Sequence, residues 1–120
     1  MRVLNLVTTG YASFFRQQVE TLERRGVDCT TVAVRTERGE SRDWGRSDSA
    51  YAYARLVWRT LAEARKPYDL VHVHYGLIAP LGLVQPIRPV VLTLWGSDLM
   101  GDGWQSTVGR RAVPYCDAVV

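Results

Sequence analysis

The sequence predicts an α/β domain: a doubly wound, Rossmann-like parallel sheet with strand order 3-2-1-4-5. Three observations predict it. Short apolar runs recur along the chain without the strict alternation of a half-exposed strand, as in sheets covered on both faces. Segments of helical periodicity separate them, the pattern of parallel strands joined by right-handed crossovers. The chain has 120 residues, 47% hydrophobic and 22% charged, which is an ordinary composition for one globular domain with its own core.

Arg2 to Thr8 reads as the first strand and Thr9-Gly10-Tyr11 as a turn. Ser13 can cap a helix reaching Arg25, in which Phe14, Phe15, Val19 and Leu22 fall close to one face while Gln17, Glu20, Glu23 and Arg24 fall elsewhere. Gly26 stands where a glycine ends a helix. Cys29 to Val34 is the second strand, and the polar stretch Arg35 to Ser47 is a loop long enough to suggest function. Ser47 or Asp48 can cap the next helix, Ser49 to Lys66, whose apolar positions Tyr51, Ala54, Trp58, Leu61 and the stem of Arg65 recur at steps of three and four. Pro67 ends it. Asp69 to His74 is the third strand, Gly76 to Gln85 a short helix or turn, and Pro89 to Leu94 the fourth strand. Trp95 to Trp104 is a loop, Gln105 to Val113 a last short helix, and Asp117 to Val120 the opening of a fifth strand.

Charge and cysteines narrow the function classes. The formal charge is +3, and the cations are fourteen arginines and one lysine, Lys66. They are scattered, with no dense basic stripe and no reading motif, so nucleic-acid binding is not expected. A solvated surface accounts for them, and a peripheral contact with an anionic membrane is compatible with them. Cys29 and Cys116 lie in or beside apolar segments without CxxC spacing and read as buried reduced thiols, not as a disulfide or a metal site. Val3 to Val7 is too short for a signal-peptide core or a membrane span, so a cytoplasmic protein is expected.

In an open α/β sheet ligands bind at the carboxyl ends of the strands, which selects four places: Thr9-Gly10-Tyr11, Arg35 to Glu40, His74-Tyr75-Gly76, and Trp95-Gly96-Ser97-Asp98. The first has one glycine followed by the bulky Tyr11 and lacks the GxGxxG cradle of a dinucleotide fold. His72 and His74 alternate with Val71 and Val73 and point to one side of their strand. His72 reads as a hydrogen-bonded core histidine, whereas His74 sits where the crevice opens. An H-x-H pair without a nearby carboxylate or thiol does not make a metal site, and none is expected. The last loop is the most informative. Trp95 offers a flat apolar plane, Gly96 allows close backbone approach, and Ser97 and Asp98 add directed polar groups, a combination that suits a sugar. No catalytic triad or nucleophile elbow is legible.

The segments FFRQQVETLERRGVDCTTV, YDLVHVHYG and RPVVLTLWGSDL, in this order, resemble the N-terminal half of glycosyltransferase family 4, a group with the GT-B fold. The similarity runs from Met1 to Val120. It implies two facing Rossmann-like domains, the N-terminal one binding a sugar or glycolipid acceptor. The C-terminal one, with no counterpart in these 120 residues, would bind a nucleotide-sugar donor through a pair of glutamates. Retaining, metal-independent transfer is implied, with the nucleotide sugar as co-substrate and no other cofactor. By the same resemblance Gly10, Tyr11, His74, Tyr75, Trp95, Gly96, Ser97 and Asp98 are the expected acceptor-side residues. Many members carry histidine where this chain has Trp95, so the catalytic residue is left unassigned. The implied protein is cytoplasmic or peripheral at the inner face of a membrane. A lone N-terminal half would lack transfer activity and expose a patch through which copies could associate. The competing expectation is a stand-alone flavodoxin-like binding or regulatory module without catalysis.

Overall fold

The computed structural model describes residues 1–9, 13–35, 46–75, 78–94 and 104–120. The described elements are β1 (Arg2–Thr9), α1 (Ser13–Arg24), β2 (Asp28–Arg35), α2 (Arg46–Glu63), β3 (Leu70–Val73), α3 (Ala79–Val84), β4 (Val90–Leu92), α4 (Trp104–Ala112) and β5 (Ala118–Val119). A single 3-10 turn, Val113–Tyr115, links α4 to β5.

The five strands form one all-parallel sheet, so the α/β, Rossmann-like class holds. The order is β2-β1-β3-β4-β5, which corrects the expected 3-2-1-4-5. In the expected order β3 would be an edge strand and β1 would pair with β4. Instead β3 lies between β1 and β4, with Leu4 beside Val71 on one side and Val71 beside Val90 on the other. Its composition gives the physical reason. Val71 and Val73 are 0% exposed on one face and His72 and His74 are buried on the other, so this strand needs cover on both faces and neighbours on both edges. β2, with Cys29, Thr30 and Thr31 only half-buried, tolerates the edge.

Aspartates fasten the starts of two strands. Asp69 N–H donates to the Arg2 carbonyl at 2.7 Å, and its Oδ2 accepts from the Arg2 N–H at 2.6 Å. Asp117 repeats this reciprocal pair on Val90, at 2.9 and 2.7 Å. Each satisfies a backbone group that the ladder would leave open at its first rung.

Alternation along the strands divides the protein into two layers of packing. Leu4, Leu6, Val32, Val71, Val73, Val90 and Leu92 meet Leu56 of α2, Ile78, Ala79 and Leu81 beside and within α3, and Ala112 of α4 in the main core. Val7 and Ala33 face the other side, where Phe15 and Val19 of α1 close over them. α3 approaches the sheet so closely that a Cβ on Gly82 would lie 2.5 Å from Val73 Cγ2. The approach to β4 is held by Gln85, which is 0% exposed: its Nε2 donates to the Gly82 and Ile87 carbonyls, and its Oε1 accepts from the Ile87 N–H.

The helices adjust two further expectations. α1 ends at Gly26 as predicted: with φ at +90°, Gly26 N–H donates to the Glu23 carbonyl and Val27 N–H to the Leu22 carbonyl, a Schellman motif. Within α1, however, Phe14 leaves the apolar face and is 55% exposed, because it sits about 100° around the helix from Phe15. In α2 the expected stripe faces outward: Trp58 is 76% exposed and Leu61 40%. The sheet is met instead by Tyr53, Leu56, Val57, Thr60 and Ala64, which follow the same three- and four-residue spacing. Two stripes fit one helix, and periodicity alone does not choose between them. Among the described residues no helix is long and apolar enough to cross a membrane.

Candidate functional site

Because all strands are parallel, Thr9, Val73 and Leu92 end β1, β3 and β4 on the same edge of the sheet. The observed order moves the point where the winding reverses from β1/β4 to β1/β3. The crevice rule therefore places a ligand over the ends of those two strands. Of the expected site residues, His74 and Tyr75 follow β3 directly at this point. Gly10, Tyr11, Trp95, Gly96, Ser97 and Asp98 lie outside the described residues, as does the loop 36–45.

His74 is not open to the edge. It is 3% exposed, its backbone N–H donates to the Leu6 carbonyl, and Phe15 packs against its ring in a T-shaped contact at a centroid distance of 4.8 Å. Its Nε2 is 2.9 Å from Asn5 Oδ1, an acceptor, so the ring carries its proton on Nε2. His72 lies on the same side of β3, as its alternation with Val71 and Val73 predicts, and its ring centroid is 3.8 Å from that of His74. Its Nε2 meets Thr93 Oγ1 at 2.7 Å, the satisfied core histidine expected from the sequence.

Asn5, His74, His72 and Thr93 thus form a polar row across β1, β3 and β4 on the α1 side of the sheet. Sequence reading missed Asn5 and Thr93. The available signal was a lone amide within Val3 to Val7, opposite two histidines of the same side-chain parity. Asn5 is 0% exposed, and its Nδ2 has no partner of full hydrogen-bond geometry among the described residues. It lies near Cys29, whose thiol is pushed up by burial, with the Asn5 side chain opposing and Glu23 and Asp28 adding to the rise. Cys116 is likewise raised, by burial and then by Asp117. Both cysteines are free thiols, as expected, but only partly buried.

The electrostatics of the row limit its chemistry. Burial pushes His72 down to about 4, and burial with the neighbouring His72 pushes His74 down to about 3. Both rings are therefore neutral near pH 7. They supply no positive charge to a phosphate and no proton to a leaving group. Among the described residues no group of three or more His, Cys, Asp or Glu side chains gathers into a metal-holding cluster. Among the described residues, Tyr75 directly follows His74 after β3 and is half-buried, packed against the main core. A phenol ring there can lie against an apolar face while its hydroxyl donates or accepts.

Comparison with protein-family models, curated proteins and solved structures returned no match.

Proposed function

We propose that this chain is the acceptor-side domain of a glycosyltransferase of the GT-B kind, holding a sugar or glycolipid acceptor while a second domain presents a nucleotide sugar. The observation that carries the reading is where the resembling segments fall. They supply α1 with β2, then β3, then β4, and the Tyr75 and Trp95-Gly96-Ser97-Asp98 positions follow strands that end on one sheet edge. An aromatic ring, a glycine and one carboxylate in the sequence that follows β4 suit the alternating apolar faces and hydroxyl rims of a sugar. Reaction with retention of configuration, the inner membrane face and the donor domain belong to the same proposal.

A second reading, a flavodoxin-like binding or regulatory module, has one observation in its favour: the order β2-β1-β3-β4-β5 is that of flavodoxin-like sheets.

Asp98→Asn separates these readings. It keeps the shape of the side chain and removes its charge. In a protein in which this chain is joined to its donor domain, transfer from nucleotide sugars should fall at least tenfold with little change in Tm. The 120-residue chain alone should give no transfer. Unchanged transfer in Asp98→Asn would remove the binding role, and a large fall in Tm would make Asp98 a structural cap. Turnover by residues 1–120 alone would overturn the division of labour.

A further inference from the structure

Among the described residues β2 is an edge of the sheet, eight residues long, with no strand beyond it. One rung fixes which way its backbone points. Asp28 N–H donates to the Met1 carbonyl at 2.9 Å, so Asp28 and every second residue after it turn toward β1. Cys29, Thr31 and Ala33 therefore turn their N–H and C=O groups away from the sheet. Such a row is a template for a further strand. The usual devices that blunt it are missing: the strand reads DCTTVAVR, with no proline, no lysine and, in its register with β1, no bulge. Its middle is threonine and valine, which favour strands.

One side chain interrupts the row. Arg59, half-buried on α2, reaches out of the helical layer and donates from Nη1 to the Ala33 carbonyl at 3.2 Å. That carbonyl is one of the outward ones. A guanidinium there fills the acceptor that an added strand would use and sets a fixed charge in its path. At the other end of β2, Asp28 lies 3.6 Å from Arg2 Nε. Charged side chains thus stand at both ends of the row, with Cys29 and Thr31 left between them. A pairing over so short a run does not hold by itself.

We propose that Arg59 is a gate on the β2 edge: seated on Ala33 it keeps the edge closed, and displaced it lets β2 of a second copy add in antiparallel. The second copy is the occupant because the strand is complementary to itself. About a two-fold axis at Thr31, the outward groups of Thr31 face those of Thr31 in the second copy, and Cys29 faces Ala33. Cys29 N–H then needs the Ala33 carbonyl of the other copy, the acceptor that Arg59 holds. Threonine opposite threonine is a favourable cross-strand neighbour. The inference rests on β2 and α2 and stands apart from sugar transfer at the strand ends.

The test is sedimentation equilibrium of the chain and of Arg59→Ala over a concentration series, with amide exchange read residue by residue. The wild-type chain should be largely monomeric. Its Cys29 and Thr31 amides should exchange fast, while those of Thr30 and Val32, which face β1, are protected. Arg59→Ala should associate about 30-fold more tightly, because neither copy then gives up a hydrogen bond of ordinary net strength on pairing. The Cys29 and Thr31 amides of the variant should become protected as concentration rises. Adding Thr31→Pro to Arg59→Ala should restore the monomer at little cost to the fold, since proline is tolerated where a strand N–H faces outward. Should that double variant fail to fold, amide exchange in Arg59→Ala decides alone. Association no stronger in Arg59→Ala than in the wild type overturns the proposal. So do wild-type Cys29 and Thr31 amides that are already protected, or association of Arg59→Ala that leaves them fast, which would put the contact elsewhere, as at the exposed Trp58.

Discussion

Acid should unfold this domain earlier than its carboxylates alone would, and the cause is the histidine pair under α1. An unfolded histidine takes up a proton near pH 6.5. In the folded chain His72 does so only near 4 and His74 only near 3. Between those values the unfolded state binds more protons, so stability rises with pH and is lost as pH falls through the window below 6.5. From pH 7 to pH 5 the integrated loss is about 2 kcal/mol for each ring and about 4 kcal/mol for the pair. Against a total of roughly 5–15 kcal/mol for a domain, that is a large share. In urea titrations it should lower the midpoint by about 2 M for a slope near 2 kcal/mol/M. Glu63, held below the ordinary carboxylate range first by its hydrogen bond from Tyr68 and then by Lys66, contributes in the same direction, but only at lower pH. The effects therefore separate on the pH axis. His72→Gln should halve the loss between pH 7 and 5. It removes one of the two causes holding His74 down, yet burial remains, so His74 stays neutral. A midpoint that is flat from pH 7 to 5, or a slope that His72→Gln and His74→Gln both leave unchanged, would refute the reasoning. So would a ring resonance titrating near 6.5 in the folded protein.

Gln85→Ala strands the Gly82 and Ile87 carbonyls and the Ile87 N–H that the amide now satisfies, and should cost about 3 kcal/mol in urea unfolding at neutral pH. Gly82→Ala forces a methyl to 2.5 Å from Val73 Cγ2, and it should destabilise by about 1–3 kcal/mol although alanine is the better helix former. Leu56→Ala, at 1% exposure, should cost about 2–5 kcal/mol, whereas Trp58→Ala, at 76% exposure, should stay within about 0.5 kcal/mol by the same measurement. An equal loss from the last two would mean that α2 is seated on its other stripe.

The class of fold was legible because each strand is a short apolar block bounded by turn residues and each helix repeats at three and four. Gly26 is the clearest local success: one glycine after Arg25 announces a positive φ, and the chain turns there. What periodicity lacks is information about neighbours. Nothing in Leu70 to Val73 says which strands flank it, and only the demand for cover on both faces, visible in the valines and histidines together, points to the sheet centre. The α2 stripe fails for a related reason. Trp58 and Leu61 look more core-like than Thr60 and Ala64, yet the smaller residues let the helix approach the sheet while the indole stays outside. At the candidate site the histidine pair could be placed on one side of β3 from its spacing, but its burial depended on Phe15 and Asn5, residues distant in sequence.

The revised order also changes what a ligand at the crevice would have to touch. With β1 and β4 adjacent, the Gly10 and Trp95 positions would have followed neighbouring strands, and His74 would have stood at the far edge of the sheet. With β3 between them, the ends of β1 and β4 are two strand spacings apart, about 10 Å. A ligand that contacts both positions must cross the end of β3, where His74 is sealed beneath Phe15 and, among the described residues, Tyr75 is the half-buried side chain that follows. Under the proposed function, recognition at the β3 end therefore runs through the phenol of Tyr75. His74 acts one layer below, keeping the strand end in place through its imidazole on Asn5 and its backbone N–H on the Leu6 carbonyl.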